Sequence, residues 1–108
     1  MTIRPDGLKN KAMYDIDILS DSTTGGIRTI SVRPSGIVCA GQIDISVEGD
    51  IVKSVRFTNG CSGNTQGVAA LCTGMKVADA VERLSGIDCR GKGTSCPDQL
   101  ARALKLFL

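Results

Sequence analysis

A chain of 108 residues with a net charge of +2 has room for one domain and one modest core. Hydrophobic residues at 42% and charged residues at 22% fit a globular protein, and no apolar run nears the roughly 20 residues of a membrane helix. The aromatic set is Tyr14, Phe57 and Phe107, too small for base stacking, and the basic residues form no stripe, so the expected partners include neither nucleic acid nor membrane.

Residues 1–26 read as an N-terminal extension, partly disordered or contributing an added edge strand. They are polar, alternate only weakly from Met13 to Leu19, and end in Asp21-Ser22-Thr23-Thr24-Gly25-Gly26. Met1 to Lys11 has no signal-peptide core, which points to the cytoplasm. The domain proper is expected over 27–108. Arg28 to Arg33 carries strand-forming residues and is stopped by Pro34. Ile43, Ile45 and Val47 alternate with Asp44, Ser46 and Glu48, the period-two pattern of a half-buried strand. Glu48-Gly49-Asp50 supplies a turn, and Ile51 to Thr58 forms the next strand, with Ile51, Val55 and Phe57 on one face.

The rest is helical. Val68, Leu71 and Cys72 fall on one face of a helix ended by Gly74, and Val77, Ala80, Val81 and Leu84 repeat the stripe up to Gly86. Leu100, Ala103, Leu104 and Phe107 mark a third helix, with Pro97 in its first turn, where the missing N–H costs nothing. Strands followed by helices predict the α+β class: a three-stranded antiparallel sheet with about three helices packed on one face.

Five cysteines and no histidine carry the chemistry. Without histidine no Cys–His or Ser–His nucleophile pair exists. In a reducing compartment the cysteines read as metal ligands or redox thiols before disulfides. Cys96, before Pro97 and Asp98, takes the N-cap of the last helix, and Cys61 stands just before the first; at both places the helix dipole favours a thiolate. Cys39 lies in a loop near Gly36 and Gly41, and Cys89 in Asp88-Cys89-Arg90-Gly91-Lys92-Gly93. Isolated cysteines are usually buried packing residues. Four of them in glycine-rich turns point instead to shared ligation of zinc or an iron–sulfur cluster, although no pair forms a C-x-x-C knuckle. Cys72, on an apolar helix stripe, reads as core. Gly91-Lys92-Gly93-Thr94-Ser95 lacks P-loop spacing and reads as a turn presenting Cys96, with an anion contact from Arg90, Lys92 and Thr94 as the weaker alternative. Asp98 offsets the helix dipole or supports the thiol site from behind.

Thr94-Ser95-Cys96-Pro97-Asp98 spells the motif of the TSCPD domain, and Gly86-Ile87-Asp88-Cys89, Gly60-Cys61-Ser62-Gly63-Asn64 and Gly74-Met75-Lys76-Val77 are similar to the same family. The resemblance runs from about 29 to 108 and is to the small stand-alone subfamily with four characteristic cysteines, which fall on Cys39, Cys61, Cys89 and Cys96. The family is related to an appended domain of adenosylcobalamin-dependent ribonucleotide reductases. The resemblance therefore implies an accessory role with a reductase or a sulfur-transfer protein as partner, and a chain that is not catalytic by itself; a reductase interaction domain without metal, its cysteines only supporting the fold, is a further alternative. The order of strands, cysteines and helices also resembles, more distantly, iron–sulfur scaffold proteins of the NifU type, which implies a cluster scaffold or sulfur carrier as the alternative to a zinc module.

Overall fold

In a computed structural model the chain is described at residues 16–34, 38, 40–59, 62–88, 91 and 94–108, with backbone alone at 62–64. Four strands, β1 (Asp17–Thr24), β2 (Ile27–Arg33), β3 (Gln42–Glu48) and β4 (Ile51–Thr58), precede three helices, α1 (Ser62–Cys72), α2 (Val77–Leu84) and α3 (Cys96–Leu104), and a closing 3-10 turn, Lys105–Phe107. The strands form one antiparallel meander in the order β1-β2-β3-β4. The α+β class therefore holds, but the expected three-stranded sheet has a fourth strand, β1, on its edge.

The reason β1 leaves so faint a trace in the sequence is physical. Alternation marks a strand only where one of its faces is buried, and β1 has no buried residue. Its register with β2 also slips at Leu19, so the bulge changes which residues share a face partway along. The link to β2 is a two-residue turn in which Gly25 and Gly26 both have positive φ, +60° and +81°, as a tight right-twisted hairpin requires.

All the helices lie on one sheet face. Ile30 and Val32 of β2, Ile43, Ile45 and Val47 of β3 and Val52 of β4 meet Cys72, Val77, Ala80, Leu100, Ala103 and Leu104 in one apolar cluster. Each fully buried aliphatic side chain there contributes about 1.5–3 kcal/mol. The opposite face is polar, and its hydroxyls pair across strands, as in Thr29 with Ser46 at 3.0 Å.

Two details of the sequence reading change. A bulge at Lys53 shifts the pairing of β4, so Val52 and not Ile51 turns inward with Val55 and Phe57. On α1 the inward line is Thr65, Val68 and Cys72, while Leu71 is 77% exposed. The turn after α1 then lies along β4, with Gly74 donating to the Val52 carbonyl at 2.8 Å and Val52 to that of Met75 at 2.9 Å.

Arg28 ties the far side together. Its guanidinium grips the Asp21 carboxylate of β1 through Nε at 3.0 Å and Nη2 at 2.7 Å, donates to the Leu106 carbonyl at 3.4 Å, and lies 5.5 Å from the Phe107 ring centre. The pair is solvent-facing, so screening keeps its net contribution small. Among the described residues no helix is long and apolar enough to cross a membrane.

Equilibrium urea unfolding checks the assignment of faces. Ile45→Ala is expected to cost about 2–5 kcal/mol, because it empties the centre of the cluster. Leu71→Ala is expected to stay within about 0.5 kcal/mol of the parent, despite the equal change in hydrophobicity.

Candidate functional site

The start of α3 is where polar side chains concentrate inside the protein. A helix with one buried stripe exposes a residue every turn. Here Thr94, Ser95, Cys96, Pro97, Asp98, Gln99, Leu100 and Ala101 are buried in succession, so neighbouring segments enclose the first turn on every side.

Ser95, not Cys96, is the N-cap. Its backbone is extended, at φ −158° and ψ 172°, and its hydroxyl accepts the Asp98 N–H at 3.1 Å. Cys96 is thus the first helical residue and Pro97 the second, a position that tolerates the missing N–H. The Ser95 hydroxyl then donates to the Ile87 carbonyl at 2.7 Å.

Asp98, 4% exposed, receives three donors. Its Oδ1 accepts the Gly86 N–H at 2.7 Å; its Oδ2 accepts the Thr94 hydroxyl and, at 3.1 Å, Nε of Arg102. Gln99 Nε2 in turn donates to the Thr94 oxygen at 3.0 Å. Each hydroxyl therefore gives one hydrogen bond and takes one, which fixes the direction of the whole chain of bonds. Burial works against the Asp98 charge, yet the hydrogen bonds from Thr94, Gly86 and Arg102, together with the Arg102 charge, outweigh it and hold the carboxyl below its ordinary range. Gly86 presents its N–H to Asp98 from a left-handed position, φ +82°, just beyond α2.

Of the predicted ligands, the described residues include Cys96 alone. Its thiol is free, and the residue is 7% exposed. Cys39, Cys61 and Cys89 lie outside the described residues. Among the described residues no group of three or more potential metal-ligating side chains comes together. Cys72 sits in the apolar cluster as expected, and burial pushes its thiol up, away from the reactive thiolate. The Thr94 hydroxyl is committed to Asp98, which removes it from the alternative anion site; Arg90 and Lys92 are outside the described residues.

The sequence reading missed the way Thr94, Ser95 and Asp98 act together. The signal was present as a hydroxyl N-cap followed three residues on by an acid, a capping-box spacing. The acid here reaches Gly86 and Thr94 instead of the cap's own N–H, and that long-range partner has no local signature.

Comparison with known proteins gives one family: the model of the TSCPD domain matches residues 17–108. Among curated proteins, an NADH-quinone oxidoreductase subunit from Mycolicibacterium vanbaalenii is 31% identical over 103 residues, covering 82% of this chain and 23% of that protein. The chain thus spans under a quarter of the length of that relative. No solved structure matches, and the distant likeness to NifU-type scaffolds finds no support.

The Asp98 network predicts an acid-sensitive fold. A carboxyl whose pKa is lowered on folding contributes stability that is complete above its unfolded value, about 3.9, and is lost as pH falls toward the folded value. Asp98→Asn is expected to cost about 1–3 kcal/mol at pH 7. Between pH 6 and pH 3, urea midpoints of the variant are expected to fall less than those of the parent.

Proposed function

The chain belongs to the TSCPD domain family, and from that premise we propose that it is a metal-binding module in which Cys39, Cys61, Cys89 and Cys96 are the ligands. The observation that carries the reading is the setting of Cys96. A cysteine kept for packing sits as Cys72 does, within the apolar cluster. Cys96 is nearly as buried but stands apart from the described members of that cluster, in the first turn of a helix beside the Ser95–Asp98 network.

The donor set suits a soft or borderline metal. Four sulfurs and no histidine select zinc or an iron–sulfur cluster over magnesium or calcium. Zinc closed by four thiolates has no open position for substrate and cross-links the segments that carry its ligands. The residues' part is to supply the thiolates, Cys96 from the start of α3, and to exclude water from them. On this reading the module is accessory and not catalytic by itself. A match to less than a quarter of a larger protein fits a unit that serves larger chains. Ribonucleotide reduction is the accessory role the family relation favours, and a reducing cytoplasm is the compartment that keeps the thiols available.

Anaerobic purification followed by elemental analysis and a visible absorption spectrum tests the proposal. About one zinc per chain is expected, or iron with thiolate-to-iron absorption. Cys96→Ser is expected to lower metal affinity by at least about tenfold, and chelation to lower the unfolding temperature. Only trace metal, together with four reactive thiols, would sink the reading. Rapid alkylation of a single cysteine in metal-free protein as purified points instead to a thiol carrier.

A further inference from the structure

We infer that β1 is the surface through which this chain pairs with a second copy of itself, strand to antiparallel strand, with the two-fold axis at Ser22. A sheet edge is a row of backbone donors and acceptors that takes up a further strand unless something covers it. The meander has two edges, and they differ. The β4 edge is covered: the chain after α1 lies along it, where Gly74 donates to Val52 at 2.8 Å, Val52 to Met75 at 2.9 Å and Val77 to Asp50 at 2.8 Å. Along β1 no described residue pairs on the side away from β2. β1 also holds no lysine, arginine or proline, the residues that commonly blunt an edge.

The hairpin register shows which groups face outward. Residues flanking a two-residue turn form a narrow, hydrogen-bonded pair, so Thr24–Ile27, Ser22–Thr29 and Ser20–Ser31 exchange bonds within the hairpin. Asp21 and Thr23 alternate with them, and their N–H and C=O groups point away from β2. The bulge at Leu19 confines the regular stretch to Ser20–Thr24. An axis at Ser22 sets Asp21 against Thr23 of the second copy, Ser20 against its Thr24, and Ser22 against its equal. No like charges then lie directly opposite. Arg28 already holds the Asp21 carboxylate, at 2.7 and 3.0 Å, so the incoming hydroxyl meets a compensated charge. On the outer face the row Ser22–Thr29–Ser46–Ser54, with Thr29 and Ser46 joined at 3.0 Å, continues through the axis into the same row of the second copy. Because the β4 edge is covered, the contact is isologous and closes at two copies. The five residues Ser20–Thr24 fall short of the roughly 20–30 a side of a standard interface, so a dissociation constant above about 1 μM is expected.

Sedimentation of the full chain from about 1 μM to 1 mM measures the association. The parent is expected to pass from monomer to dimer across that range. Thr23→Pro removes an outward N–H and leaves the bonds to β2, and is expected to raise the dissociation constant at least about tenfold. Thr23→Ser keeps both the N–H and the hydroxyl and is expected to dimerise as the parent does. Leu71→Asp, on the exposed side of α1, is expected to have no effect. The register is read with Ser22→Cys under oxidised glutathione. Directly opposed residues of a non-hydrogen-bonded pair lie about 4.5 Å apart at Cα, within disulfide range, so peptide mapping is expected to find a bridge joining the two substituted positions. Each bridge consumes one oxidised glutathione and releases two reduced ones, with both thiol protons carried away on the products. Ser20→Cys sets its two copies four residues apart along the strand, about 13 Å, and is expected to give no such bridge. A parent that stays monomeric throughout leaves the edge to a strand of another chain and overturns the inference. A dimer indifferent to Thr23→Pro, or bridging equal at the two substituted positions, does the same. Should Thr23→Pro not fold, the bridge comparison decides alone.

Discussion

A carboxylate enclosed at 4% exposure keeps its charge only if its oxygens are occupied, and that demand organises the α3 end of this domain. Asp98 satisfies it with a backbone N–H from beyond α2, a hydroxyl from the segment before α3, and a guanidinium from the next turn of its own helix. Three stretches of chain are thus drawn to one point, with the Thr94 bond the most deeply buried of the three. The penalty for leaving a buried charge unpaired exceeds the net value of any one of these bonds, so the network behaves as a unit. The network ties the end of α2 and the chain entering α3 to the first turn of that helix.

The sheet obeys a different constraint. Three adjacent strands present matched apolar rows, Val32–Ile43–Phe57, Ile30–Ile45–Val55 and Val47–Val52, and these rows fix both the register and the side on which helices pack. The row that begins with Val47 and Val52 continues on β2 as Arg28, not as another aliphatic residue. There the apolar surface ends, and the guanidinium spans the remaining distance to β1 and to the closing turn. β1 is attached by backbone pairing to β2 and by the grip of Arg28 on Asp21.

These two constraints explain what could be read from the residues. The alternation of Ile43, Ile45 and Val47 and the stripe Leu100, Ala103, Leu104 are direct records of burial, so β3 and α3 were legible. β1 buries nothing and changes phase at Leu19, so its trace is the weak alternation that offers only an added edge strand, and the sheet was expected with three strands instead of four. Leu71 misled because helical spacing alone assigns it to the same face as Cys72, whereas Thr65 and Val68 pull the buried line to its other side. At the candidate site, Cys72 was separable as core from its stripe. Ser95 is the cap in place of Cys96 because a hydroxyl accepts the Asp98 N–H better than a thiol does. The Asp98–Gly86 contact had no periodic or local trace, since it joins residues that become neighbours only after α2 and α3 have docked.

The two ends of the molecule are consequently stabilised by different physics. The cluster under the sheet takes Leu100, Ala103 and Leu104 from the later turns of α3, each contributing about 1.5–3 kcal/mol by burial. The first turn contributes instead through hydrogen bonds, each with a net value of about 1 kcal/mol. A chain this small buries only about two thirds of the surface its unfolded form exposes, so it has little apolar surplus with which to support the polar end. On the proposed reading, thiolate ligation falls at that end, through Cys96 directly. A metal cross-link placed in the apolar cluster would duplicate contacts already made; placed at the start of α3, it stabilises a part of the fold held by hydrogen bonds more than by apolar packing.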